Sequence, residues 1–214
     1  MGAGASIPAT EEAALAEGYT PEQIAEYKTS LPSEGGTSAA EGGGGAAGEW
    51  SNMVESWCFG DSHQGACEAA GIALVEDGCL FAAAPVKDEA GWGFLWKEGD
   101  DAEALGKVLI SVASTGKVPE GASSMITIGG VEYRVKDHQA EFESGEYTFP
   151  VTQCVRPGRG CFIAATGGLP TSKIVVGTYD QTKGQEGGNC KKAICEFVHH
   201  LKGLEAGDEA AAGA

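Results

Sequence analysis

The sequence predicts an α+β domain, a central antiparallel sheet with helices packed on its faces, from three observations. Apolar residues recur at helical spacing in three separate stretches, two pairs of short apolar runs flank two-residue hairpin signals, and three further β-branched or aromatic runs follow one another across Gly/Pro turns. Consecutive strands joined by short turns pair antiparallel, which leaves the helices to cover the sheet.

The elements follow in order. Over residues 49–59, Trp50, Met53, Val54 and Trp57 are spaced by three and four, one face of an amphipathic helix. Residues 70–76 and 79–84 are expected as strands around a two-residue Asp77-Gly78 turn. A second helical stripe, Leu105, Val108, Leu109 and Val112, lies within residues 100–115. Residues 124–128 and 131–135 predict a second hairpin around Gly129-Gly130. Strands are then expected over 146–155, 160–166 and 172–179, broken by Pro157-Gly158 and by Gly167-Gly168-Leu169-Pro170. Ala193, Ile194, Phe197, Val198, Leu201 and Leu204 make residues 190–204 a last helix, with Gly203 near its C-terminal end.

Of 214 residues, 31 are acidic and 14 basic, a formal net charge of −17. Residues 1–48 carry −6 of it and residues 205–214 another −3, which leaves −8 for residues 49–204. Even the expected domain is acidic, so general electrostatic binding to nucleic acid is disfavoured. No apolar run approaches the roughly 18–20 residues that a membrane-spanning helix needs. Residues 49–204 hold nearly all the aromatic and β-branched side chains and have the length of one domain with one core.

The flanks differ from this centre. Met1-Gly2-Ala3-Gly4-Ala5-Ser6 fits an N-myristoylation signal at Gly2. A single acyl chain supports only reversible membrane contact, and no basic cluster follows it. Within residues 9–30, Thr10 and the Thr20-Pro21 pair open two short helices interrupted at Gly18. Residues 33–48, mostly Gly, Ala, Ser and Glu, are expected to form a flexible linker, and residues 205–214 a disordered acidic tail.

Seven cysteines without a CxxC pair, and no secretory h-region, predict reduced thiols in a cytoplasmic protein. Four histidines are present with no HExxH, Gly-x-Ser-x-Gly or GxxxxGK[ST], so neither an enzyme nor a bound metal or cofactor is expected. Cys195 and His199 are four apart on the last helix, but two ligands do not make a structural zinc site.

Particular blocks of this arrangement resemble profilins, small actin-monomer-binding proteins. Gly71-Ile72-Ala73-Leu74-Val75-Glu76-Asp77-Gly78-Cys79-Leu80-Phe81-Ala82 is similar to the first profilin hairpin, and Ile126-Thr127-Ile128-Gly129-Gly130-Val131-Glu132-Tyr133 to its Gly-Gly hairpin. Ile174-Val175-Val176-Gly177-Thr178-Tyr179-Asp180, followed by Cys190 and the last helix, resembles the profilin C-terminal strand and helix. The resemblance covers residues 49–204, with 89–96 and 139–148 longer than the usual form. It implies that the N- and C-terminal helices pack together on one face of the sheet and a further helix on the other. It also implies a monomeric, cytoskeleton-associated regulator of actin polymerisation. A profilin-fold interaction module, tethered to a membrane or an assembly and not binding actin, is the second expectation.

Profilins bind polyproline between their terminal helices, where flat rings meet a ligand that is already extended and rigid. Carried over by position, that site is Trp50, Met53, Phe81, Phe197 and His200, with Met53 standing where the family has Tyr and Phe81 where it has Trp. The resemblance likewise implies actin contacts at Tyr133, Arg156, Arg159, Lys173, Lys183, Asn189 and Lys192. Arg156-Pro157-Gly158-Arg159 corresponds to a basic loop that profilins use for phosphoinositide headgroups, so phosphoinositide-containing membranes join monomeric actin and proline-rich proteins as expected partners.

Overall fold

The computed structural model describes residues 46–97, 101–120 and 125–212. The chain divides between Gly42 and Gly43, and every described residue belongs to the second unit. Gly2 with its expected acylation, the two short helices within 9–30 and the linker up to residue 45 lie outside the described residues.

The order is α1 (Ala46–Phe59), β1 (Ala69–Leu74), β2 (Leu80–Ala84), α2 (Ala102–Thr115), β3 (Ile126–Ile128), β4 (Val131–Ser144), β5 (Tyr147–Arg156), β6 (Arg159–Ala165), β7 (Lys173–Asp180) and α3 (Gly187–Ala212). Short 3-10 turns lie at Asp61–His63, Glu89–Phe94 and Gln181–Lys183. All strand pairs are antiparallel, in the order β2-β1-β7-β6-β5-β4-β3.

The sheet carries a core on each face. Ile72, Phe162, Ala164 and Val175 point to α1 and α3, where they pack with Val54, Ile194, Phe197, Val198 and Leu201. Their alternates Ala73, Ile163, Ala165, Ile174 and Val176 point the other way, to Leu109, Val112, Trp92 and Leu95. This is the α+β architecture expected, with the terminal helices together on one face and α2 on the other. Strands buried on both faces lose the apolar/polar alternation, which is why β6 and β7 read as continuous apolar runs. The fit of α3 to the sheet requires Gly177, since a Cβ there would lie 2.3 Å from Ile194 Cδ1.

Three local expectations need correction. The β1–β2 connection is wider than a two-residue turn, because the strands end at Leu74 and begin again at Leu80. Gly78, at φ +70°, sits against α2, and a Cβ on it would lie 2.4 Å from Gly106 Cα. That packing, rather than strand twist, shapes the connection. The 139–148 stretch is no loop: it continues the β4–β5 ladder, with Phe142 opposite Phe149 and Ser144 opposite Tyr147. Register shifts between Val135 and Asp137 and between Gln139 and Phe142 bend the ladder, as bulges do.

The extended hairpin lies along α3. Lys191 Nζ sits 4.6 Å from the Phe142 ring centroid and donates to Gln139 Oε1 at 3.1 Å. Further along, His199 Nδ1 is 2.9 Å from the Ser144 carbonyl oxygen, and the Tyr147 ring meets His199 edge-on at 5.0 Å. The hairpin tip therefore points toward the C-terminal half of α3. The 89–96 stretch begins as a 3-10 turn, and its Trp92 is buried together with Leu95 in the α2-side core.

The third correction is the acidic tail. Helix α3 continues through Glu205 to Ala212, where disorder was expected. Alanine and glutamate are strong helix formers, and a lone glycine such as Gly203 or Gly207 weakens a helix by only about 1 kcal/mol. Glu205 also anchors the extension, its Oε1 accepting from Lys173 Nζ at 3.0 Å and from Thr166 Oγ1 at 2.8 Å.

Candidate functional site

Two surfaces at different ends of the sheet collect the sequence-predicted residues. The first is the groove between α1 and α3. Trp50 and Met53 of α1 face Leu201, Leu204 and Glu205 of α3, with Lys173 at the start of β7, around a cleft of about 270 Å³. Phe81 of β2 meets the Trp50 ring edge-on, with centroids 5.7 Å apart and planes at 89°. The Lys173 ammonium lies 5.6 Å from the Trp50 centroid, a cation–π distance, and its pairing with Glu205 fixes it there.

Farther along α1, Trp57 stacks on His200 at 4.7 Å and on Phe197 at 6.2 Å. Trp50, Met53, Trp57, Phe81 and His200 are all half-buried and so present part of their surface to solvent. Phe197 departs from expectation, since it is fully buried and backs Trp57 from within the core. Trp57 was not among the expected contacts. Its signal was its spacing, seven residues after Trp50 on the same helical stripe.

The second surface is the end of the sheet where β6 begins and β7 ends. The Pro157-Gly158 turn places Arg156 opposite Arg159, and Arg159 opposite Asp180 on β7. The Arg159 guanidinium pairs with the Asp180 carboxylate and approaches Glu68 at 4.0 Å. Lys183, on the turn after β7, pairs with Glu68 at 2.6 Å. Asn189 and Lys192, in the first turns of α3, line a cleft of about 180 Å³ with Ser62, His63, Gln64 and Ala66. His63 Nε2 lies 2.9 Å from Glu196 Oε2, and Lys192 lies 3.8 Å from the other oxygen of that carboxylate. Hydrogen bonds from Thr182, reinforced by Arg159, hold the Asp180 carboxyl below its ordinary value.

Arg159 and Lys183 thus meet at Glu68 with Arg156 across the turn, and Asn189 and Lys192 line the cleft that includes Ala66, two residues before Glu68. Tyr133 lies near them but is only 2% exposed, in the α2-side core, where burial pushes its hydroxyl's pKa up. Lys173 belongs to the groove, at the opposite end of β7.

Comparison with known proteins agrees with this architecture. A Plasmodium falciparum profilin is 27% identical over 150 residues, covering 62% of this chain and 84% of its own. A Plasmodium berghei profilin is 27% identical over 162 residues, covering 67% and 88%. In sequence the chain is similar to these profilins. Schizosaccharomyces pombe profilin has the same fold, with a TM-score of 0.50 at 17% identity over 72% of this chain and 98% of that profilin. No protein-family model matches the chain.

Among the described residues, no group of three His, Cys, Asp or Glu side chains is arranged to hold a metal ion. Burial pushes the Cys195 thiol up to about 11, and His199 turns away to the β4–β5 hairpin. No described helix is long and apolar enough to cross a membrane.

Proposed function

We propose that this chain binds monomeric actin through the Arg156, Arg159, Lys183, Asn189 and Lys192 end of its sheet and proline-rich segments through the α1–α3 groove. The observation that carries the proposal is the separation of the two sets of residues: cations at one end, half-buried rings at the other. Actin's surface is acidic overall, and lysines and arginines already oriented by carboxylates steer association and set register. A polyproline II segment is pre-extended, so docking on Trp50, Phe81 and the Trp57–His200 stack orders little backbone. Such a protein holds a monomer and presents it to proline-rich partners, a binding function rather than a catalytic one.

The decisive test is the affinity of the full chain for monomeric actin by calorimetry, with Lys192→Glu beside it. Micromolar binding that weakens about tenfold in the variant, roughly 1.4 kcal/mol, supports the proposal. No heat at high micromolar actin overturns it and favours the second function, a profilin-fold module tethered through its N-terminal extension.

Two finer features belong to the same proposal. Gly2 carries a myristoyl group that gives reversible membrane contact, tested by the mass of the natural N-terminus. Phosphoinositide contact falls mainly to exposed Arg156, because Arg159 is already held by Asp180 and Glu68. Vesicles with and without phosphoinositide distinguish the headgroup from the acyl chain.

A further inference from the structure

Three thiols meet inside the domain where the segment before β1 crosses the first turn of α3. Cys67 Sγ lies 3.6 Å from Cys190 Sγ, and Cys58, near the end of α1, is hydrogen-bonded to Cys67 as well. An isolated buried cysteine behaves as a small hydrophobe, but three in contact share protons. Hydrogen bonds from Cys190 and Cys58 favour the Cys67 thiolate against its burial, whereas contact with Cys67 pushes Cys58 up and burial pushes Cys190 up. The cluster also adjoins a way in. Ala66 and Asn189, the chain neighbours of Cys67 and Cys190, both line the 180 Å³ cleft at the domain surface.

We propose that Cys67 and Cys190 form an oxidisable dithiol site that hydrogen peroxide converts to an intramolecular disulfide. The Cys67 thiolate attacks one peroxide oxygen, the O–O bond breaks, and the departing hydroxide takes a proton to become water, leaving Cys67 as a sulfenic acid. The Cys190 sulfur then attacks the Cys67 sulfur; the S–S bond forms, the S–O bond breaks, and the hydroxide leaves as water with the Cys190 proton. Two thiols lose two electrons in all, and one peroxide becomes two waters. Cys58 is the third member, placed to exchange with the bridge. The disulfide ties the 60–68 segment to the start of α3, the two pieces of chain that carry His63, Asn189 and Lys192. Its formation does not depend on actin binding, so the test below is independent of that proposal.

A second close pair supplies the internal control. Cys154 and Cys161 face each other across β5 and β6 in the α2-side core, both fully buried, and, unlike Cys67 and Cys190, neither has a chain neighbour lining the cleft. The reduced full chain is treated with hydrogen peroxide, remaining thiols are alkylated in denaturant, and the digest is mapped by mass spectrometry. The expected product is a peptide pair linked through Cys67 and Cys190, two hydrogens lighter than the separate thiols and released by dithiothreitol, with Cys154 and Cys161 alkylated. Alkylated Cys67 and Cys190 after exposed Cys79 has been oxidised overturns the proposal, and so does a bridge confined to Cys154 and Cys161. In Cys190→Ala, whose fold is checked by circular dichroism, dimedone is expected to trap the sulfenic acid at Cys67. A folded variant without that adduct overturns the assignment of Cys67 as the attacking sulfur, and the wild-type map stands whether or not the variant folds.

Discussion

The α1–α3 groove and the basic end of the sheet are built by opposite means. In the groove, rings hold rings: Phe197 backs Trp57, Phe81 props Trp50, and the surface exists because the core beneath it is packed. At the basic end, charges hold charges, with Arg159 on Asp180, Lys183 on Glu68 and Lys192 near Glu196. The pairs made by exposed Lys183 and Lys192 contribute only about 0–1 kcal/mol each, whereas the Asp180 carboxylate under Arg159 is buried and belongs to the fold. The groove cannot be altered without touching stability, whereas the exposed lysines of the basic end can.

Phe197→Ala is expected to break the comparison most severely, lowering stability by about 3–5 kcal/mol in urea denaturation. A loss below about 1 kcal/mol would return Phe197 to the surface and make the groove as expendable as the basic end. Trp50→Ala comes next, with affinity for an octaproline peptide falling at least about tenfold in calorimetry and actin affinity unchanged. Lys173→Ala sharpens the contrast: its peptide affinity shifts by a factor of about 2–5, on the scale of a cation–π contact, and its actin affinity stays that of the wild type. An actin defect in Lys173→Ala would mean that the two surfaces are not separate.

The smallest effect concerns pH. The folded Asp180 carboxyl titrates below its ordinary value of 3.8, so its contribution is full above that value and disappears as pH falls through the lower, folded one. Asp180→Asn is expected to be less stable than the wild type near neutrality, to show a flatter stability-against-pH curve in that acidic window, and to converge with the wild type as pH falls. Equal acid sensitivity in wild type and variant would remove the Asp180 network from the account.

Local patterns were legible in the sequence and distant geometry was not. The stripes of α1 and α3, the Gly129-Gly130 turn and the order of strands depend on neighbours within a few residues, and they stand as expected. The β4 extension was hidden because Lys136, Asp137, Gln139, Glu141 and Glu143 are exposed, and a polar strand gives no hydrophobic alternation to read. The burial of Phe197 was hidden for the opposite reason: on an apolar stripe, spacing does not say which residue faces the sheet and which faces the other helix. The place of Lys173 in the groove was hidden because a correspondence of family positions names a strand and does not say which of its ends meets the helices. The Cys58, Cys67 and Cys190 cluster joins three elements far apart in sequence, and no local motif marks it.

Strand β7 runs from the groove to the basic end. At about 3.3 Å per residue its eight residues hold Lys173 and Asp180 roughly 23 Å apart. Under the proposed function, a rigid beam of that length would keep the two macromolecular ligands from competing for space while confining both to one small volume. Their encounter would then be intramolecular, governed by effective concentration instead of free diffusion, with the spacing between them set by a single stretch of backbone.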